Sequence, residues 1–232
     1  MSIQGLQKLT LLDFPGQVAC TVFLGGCNFR CPFCHNASLV LEPGQGPEIT
    51  QEELLAFLKK RQGVLDGVCV TGGEPLLWPA LPELLQKIKA LGYQVKLDTN
   101  GSRPELLRQL VQEGLVDYVA MDIKAGPQNY AHVAGVPGFD LTPIEQSVAF
   151  LKSGVVKHEF RTTVVAPLHT SRDFGEIGHW LQGEERYFLQ GFVDSGALMQ
   201  NVGLAAYTKE EMEEFLELVQ KNIPHAALRG ID

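Results

Sequence analysis

The 232-residue sequence has no apolar run near the roughly 20 residues that a membrane-spanning helix needs. It has no basic surplus either. Asp and Glu number 27 against 19 Lys and Arg, a formal charge of −8. Phosphate contacts are made mainly by Lys and Arg, so a nucleic-acid partner is not expected. The first residues, MSIQGLQKLTLLDFPG, lack the basic start and continuous apolar stretch of a signal peptide. A cytoplasmic protein without a membrane partner is the expectation. No internal repeat, low-complexity tract or long charge run interrupts the chain. The hydrophobic fraction is 45% and the charged fraction 20%, which excludes disorder and suits one globular domain over residues 1–232. There are only five cysteines, an odd count that argues against a disulfide framework in a reducing compartment.

Apolar, β-rich runs alternate with segments of helical spacing. Strands are expected at Val18–Leu24, Gly67–Thr71, Gln94–Thr99, Tyr118–Lys124, His158–Val165 and Tyr187–Phe192. Helices are expected at Gln51–Arg61, Leu81–Leu91, Pro104–Gln112, Pro143–Lys152, Arg172–Leu181 and Lys209–Asn222. Thr50 and Glu53 form a capping-box pattern, Pro104 opens its helix where the missing N–H costs least, and Gly92 and Gly154 stop theirs. Six strand-then-helix units in series imply an α/β fold with a parallel sheet. No G-x-G-x-x-G opens the first helix, and a full barrel typically takes about 250 residues, so a partial (β/α)6 TIM-like barrel is expected. Glycines and polar residues gather after the ends of the first four strands: Gly25-Gly26, Gly72-Gly73-Glu74, Asp98-Thr99-Asn100-Gly101 and Asp122-Ile123-Lys124. That edge carries the ligand in parallel α/β folds, so all four clusters are expected at one site.

Cys27, Cys31 and Cys34 crowd into eight residues as C-x3-C-x2-C, directly after the first of these strands. A loop this tight can turn three thiolates onto one small object, and a four-iron cluster usually takes four. Three would leave one iron open. The alternatives are a structural zinc site of the three cysteines with His35, or three unrelated thiols. His35 directly follows Cys34, and neighbours in a short loop rarely chelate one ion. No second cysteine pair is present. Cys20 and Cys69 lie inside apolar strands and read as buried core thiols.

The C-x3-C-x2-C loop, with Phe33 before its last cysteine, resembles the signature of the radical S-adenosylmethionine (SAM) enzymes. Thr71-Gly72-Gly73-Glu74-Pro75 is similar to that superfamily's GGEP motif. The opening, Gly5 to Lys8 and Asp13-Phe14-Pro15-Gly16, continuing to Cys34-His35-Asn36, resembles the activating enzymes of glycyl radical enzymes. Among these the likeness is greatest to the activators of anaerobic ribonucleoside-triphosphate reductase. The pyruvate formate-lyase activators share most of the motifs.

The resemblance implies a [4Fe–4S] cluster held by Cys27, Cys31 and Cys34, with SAM on the open iron. It implies reductive cleavage of SAM to a deoxyadenosyl radical, which takes a hydrogen from a glycine Cα of a partner enzyme. No protein residue beyond the cluster and SAM is catalytic on this reading. SAM is expected to meet Phe33, Gly72, Gly73, Glu74, Asp98, Asn100, Asp122, Lys124 and Arg161, with Gln190 a further candidate. The glycines would allow close backbone approach, Glu74 would accept from the amino group or stay a solvated turn residue, and Lys124 would neutralise the carboxylate. Arg161 would contact SAM or the glycine-loop peptide, or else form a structural ion pair. A monovalent cation is implied beside Asp98 and Asp122. The partner would be anaerobic ribonucleoside-triphosphate reductase, with another glycyl radical enzyme such as pyruvate formate-lyase, or a small-molecule substrate, as alternatives. The reductant would be a flavodoxin or ferredoxin. Only fifteen residues separate Cys34 from Thr50, too few for an inserted ferredoxin-like domain, and no cysteine follows Cys69 to hold an auxiliary cluster.

Overall fold

The computed structural model describes residues 2–45, 48–194, 196, 198–200 and 203–231. One sheet runs through them, its strands in sequence order: β1 (Ile3–Thr10), β2 (Ala19–Leu24), β3 (Gly67–Gly72), β4 (Gln94–Thr99), β5 (Tyr118–Asp122), β6 (Lys157–Val164), β7 (Tyr187–Gly191) and β8 (Ala227–Arg229). β1 is antiparallel to β2, and every later pair is parallel. Each parallel strand lies beside its sequence neighbours, so the order never reverses. A doubly wound sheet needs that reversal. With right-handed crossovers all stepping the same way, the helices cover one face and the sheet curls around the other. The expected partial barrel is the observed fold class.

The main crossover helices are α2 (Gln51–Arg61), α3 (Leu81–Ala90), α4 (Pro104–Gln112), α6 (Thr142–Lys152), α7 (Ser171–Trp180) and α8 (Lys209–Gln220). The α2 capping box forms as expected: Thr50 Oγ1 accepts from the Glu53 N–H at 3.1 Å, and Glu53 accepts from the Thr50 N–H at 2.8 Å. Leu54 and Leu58, one turn apart, bury the helix face. Two short helices, α1 (Ala37–Leu41) and α5 (Tyr130–Val133), and the outer strands β1 and β8 are additions to the expected set. β1 buries only its two ends, so its sequence carries no alternation to read, and β8 is three residues long.

Alternation along the strands separates two environments. Val68, Val70, Val95, Leu97, Val119 and Met121 belong to the apolar core under the helices. Cys69, Lys96, Asp98, Tyr118 and Asp122 occupy the alternate positions, on the concave side. That inner face is mostly polar. Tyr118 donates to buried Glu159 at 3.0 Å, and Glu159 pairs with Arg229 at 2.9 Å.

Candidate functional site

The carboxyl ends of the central strands open onto one cavity of about 820 Å3, its mouth included. Cys27, Cys31 and Cys34 line one side, and the ends of β3 to β6 line the other. The cysteine loop is tied down along its length. The Arg30 N–H donates to Ala134 O at 2.9 Å, the Cys34 N–H to Cys31 O at 3.1 Å, and the Gln200 N–H to Pro32 O at 3.0 Å. Asn28 donates to Ser102 Oγ at 2.9 Å.

The donor set fits an iron–sulfur cluster. The Phe29 N–H is aimed at Cys27 Sγ at 3.3 Å, and Asn100 Nδ2 lies 3.9 Å from the same sulfur. Such donors suit a thiolate ligand. Burial pushes the Cys27 thiol up to about 11 and the Cys31 thiol up to about 12, and raises Cys34 as well. As free thiols they stay protonated, and a bound metal is what makes buried thiols ionise. Among the described residues, no three His, Cys, Asp or Glu side chains are grouped as ligands of a single ion.

Gly72 and Gly73 line the cavity, but their missing side chains serve the protein itself. A Cβ on Gly72 would collide with the Leu24 backbone, and one on Gly73 with the Gly26 carbonyl. The Gly73 N–H donates to Leu24 O at 2.9 Å and the Glu74 N–H to Gly26 O at 2.8 Å. The diglycine turn thus sews β3 to the start of the cysteine loop. Asn36 Nδ2 closes the other side of that loop on Gly72 O at 3.0 Å.

Glu74 corrects both expectations for it. It is 1% exposed and does not line the cavity. Its carboxylate accepts from the Asn100 N–H at 2.6 Å, Thr99 Oγ1 at 2.8 Å and the Leu76 N–H at 3.0 Å. It braces the end of β4 against the diglycine turn because those buried donors need an acceptor. Burial pushes its carboxyl up to about 7, although all three donors favour the anion. A raised carboxyl contributes its stability below the ordinary value near pH 4.3 and loses it as pH rises toward 7. Glu74→Gln leaves one donor facing an amide, so it should destabilise by about 1–3 kcal/mol at low pH. That deficit should shrink between about pH 4 and 7. Denaturant titrations of both proteins across this range measure it, and a deficit independent of pH would refute the assignment.

Asn100 lines the cavity, but its amide is committed to the loop, donating to Asn28 Oδ1 at 3.0 Å. Phe33 is buried at the cavity edge, packed edge-on to His169 with ring centroids 6.3 Å apart. Asp98, Asp122, Lys124 and Arg161 all reach the cavity. Arg161 donates to Asp122 at 2.5 Å and to Asp98 at 3.0 Å, and Lys124 donates to Asp122 at 2.9 Å. Burial alone would raise the two carboxyls. The Arg161 guanidinium, with Lys96 at Asp98 and Lys124 at Asp122, holds both below the carboxylate range. Burial would lower Lys124 and Arg161, and the carboxylates keep both charged. Every carboxylate oxygen of this pair already accepts from a protein cation, so the residues do not fit the expected monovalent ion.

Two residues of the site were not among the expected SAM contacts. Thr163 follows Arg161 by two on β6 and shares its face, and Thr71 precedes the diglycine turn; both line the cavity. Alternation from Arg161 could have found Thr163. Gln190, opposite Thr163 in the sheet, does not line it. Cys20 sits in the apolar core, but Cys69 lies 3.7 Å from Asp98 Oδ1 on the polar concave side, not among apolar residues. His169, which belongs to no sequence motif, is fully buried. Its Nδ1 accepts from the Val165 N–H at 3.0 Å, so the other nitrogen carries the proton toward Lys124 O at 2.7 Å. Burial lowers its pKa, and it stays a neutral strut behind Lys124.

Comparison with known proteins bears on this geometry. Residues 21–181, from β2 through α7, match the radical SAM superfamily. The chain belongs to that superfamily. Its sequence is 30% identical to a provisionally named glycyl-radical enzyme activating enzyme of Methanocaldococcus jannaschii, over 99% of this chain and 96% of the relative. It is 35% identical to a pyruvate formate-lyase-activating enzyme of Clostridium pasteurianum, over 53% of this chain and 52% of that one. Other radical SAM enzymes match over about half of the chain or less. Among solved structures, Streptococcus suis SuiB bound to S-adenosylmethionine superposes with a TM-score of 0.68 at 12% identity, over 90% of this chain and 52% of SuiB. That likeness is one of fold. None of the described helices is long and apolar enough to cross a membrane.

Proposed function

We propose that this radical SAM protein is an activating enzyme that installs a glycyl radical on a partner enzyme, anaerobic ribonucleoside-triphosphate reductase. The match with the M. jannaschii activating enzyme over 99% of this chain carries the reading; the C. pasteurianum pyruvate formate-lyase-activating enzyme matches over 53% of it. In it, Cys27, Cys31 and Cys34 hold a [4Fe–4S] cluster, and residues 1–232 form one catalytic domain working in the cytoplasm. The cluster and SAM together supply a one-electron cleavage that generates a hydrogen-abstracting carbon radical.

The chain's own residues bind, orient and shield. Lys124 and Arg161 line the cavity with Asp98 and Asp122, and buried Lys96 behind Asp98 adds a third positive charge to the group, which favours a ligand carboxylate at this wall. Lys124 has ammonium donors beyond the one given to Asp122, and His169 holds its backbone carbonyl in place. Phe33 presents an apolar edge for a flat ring, and the Thr71 and Thr163 hydroxyls line the same wall. A flavodoxin or ferredoxin would supply the electron.

The test mixes reduced, iron-loaded protein with SAM and either the anaerobic reductase or pyruvate formate-lyase. The expected result is a glycyl-radical doublet by electron paramagnetic resonance with the reductase. A doublet only with the lyase reassigns the partner. Deoxyadenosine formation without a doublet from either would replace the reading with a small-molecule substrate.

A further inference from the structure

The Asp98–Asp122 pair carries its own counter-ion, and this inference goes beyond the proposed function and does not depend on which enzyme is activated. Asp122 and Arg161 are register partners in adjacent parallel strands, and Asp98 lies one strand further. From β6 the Arg161 side chain reaches across β5: its Nε meets Asp122 Oδ1 at 2.5 Å and its Nη2 meets Asp98 Oδ2 at 3.0 Å. The two outer oxygens are taken as well. Lys124 Nζ donates to Asp122 Oδ2 at 2.9 Å, and Lys96 Nζ donates to Asp98 Oδ1. Lys96 is 2% exposed and does not line the cavity, so its ammonium serves only the interior. Three cations face two carboxylates, and each of the four oxygens has a donor.

We propose that Arg161 occupies the place of the alkali cation between these carboxylates, and that this chain therefore binds no monovalent metal ion there. An added ion would have to share oxygens that already accept from protein cations, and would join a group already one charge positive. Only a planar guanidinium has two donors spaced to span both acids from a third strand; a lysine ammonium presents one point charge. Removing the guanidinium should leave two buried carboxylates against two ammoniums, with the oxygens between them bare. That arrangement invites the ion which the intact protein excludes.

The test uses iron-loaded full-length protein in sodium, potassium or tetramethylammonium chloride at equal ionic strength, since screening must be held constant. SAM affinity and melting temperature are read in each salt. Wild type should give the same values in all three. Arg161→Ala should bind SAM about tenfold more weakly in tetramethylammonium. It should recover in potassium or sodium, or on adding guanidinium ion. The proposal is overturned if wild type weakens when alkali ions are removed, or if no cation restores Arg161→Ala. Should that variant fail to fold, calorimetric titration of potassium chloride into wild type still decides. No saturable heat is expected, and one-to-one binding would refute the proposal. The melting temperatures need no SAM, so failure here is separable from failure of the activase reading.

Discussion

Cys31→Ala protein, reconstituted with iron and sulfide under anaerobic conditions, is expected to lose deoxyadenosine formation by well over the roughly 100-fold typical of removing an outer-shell partner. Cys31 is the most enclosed of the three, 7% exposed, with its sulfur 3.7 Å from Ala134 O. Alanine there leaves two thiols for a cluster that ordinarily takes four ligands. No other cysteine can substitute. Cys20 is packed in the apolar core on the helix side, and Cys69 lies deeper on the concave face beside Asp98. Cys20→Ala should therefore keep the iron, the sulfide and the turnover, with a modest loss of stability. Iron and sulfide content, visible absorbance and deoxyadenosine yield measure both variants. A Cys31→Ala protein that still cleaves SAM would remove the ligand assignment, and with it the functional reading.

Gly73→Ala is expected to be among the most damaging conservative changes outside the cysteines. The new methyl would run into the Gly26 carbonyl and press on Cys27 Cβ, 3.3 Å away. Relief requires the strand and loop to part, which breaks the bonds from Gly73 N to Leu24 O and from Glu74 N to Gly26 O. Overpacking costs about 1–3 kcal/mol, and each buried donor left unpaired a similar amount. The total is about 3–9 kcal/mol, a large share of the roughly 5–15 kcal/mol that holds a domain together. Chemical denaturation should register it, together with poor iron loading, because Cys27 moves with the loop. Gly175→Ala is the control. It lies within α7 with open space around its Cβ, and alanine is the better helix former by about 1 kcal/mol. Its stability should hold or rise, and equal damage at both positions would contradict the close-approach account.

These two contrasts show what kind of information the sequence carries. The spacing of Cys27, Cys31 and Cys34 was legible because local covalent distance limits what three neighbouring thiols can reach. The expected barrel was legible because strands and helices alternate with strong periodicity, and three of the four strand-end clusters contribute residues to the cavity, Gly25-Gly26 being the exception. β1 and β8 were not, since one buries little between its ends and the other is a short edge strand. Glu74 was misread for a different reason. A glutamate in a glycine-rich turn looks solvated, and only the buried donors of Thr99, Asn100 and Leu76 show why an acceptor is needed there. His169 was missed because a single histidine in a loop carries no periodic signal, while its hydrogen bonds reach back to Lys124 from 45 residues away.

By itself the sequence determined the α/β class, the cysteine trio and the edge of the sheet where chemistry gathers, because these follow from periodicity and from short distances along the chain. The tertiary structure alone decided how charges and backbones meet. It set Arg161 astride Asp98 and Asp122, Lys96 beneath them, and the diglycine turn against the cysteine loop. Such pairings join residues on different strands, and their strength depends on burial and orientation, which only the packed sheet supplies.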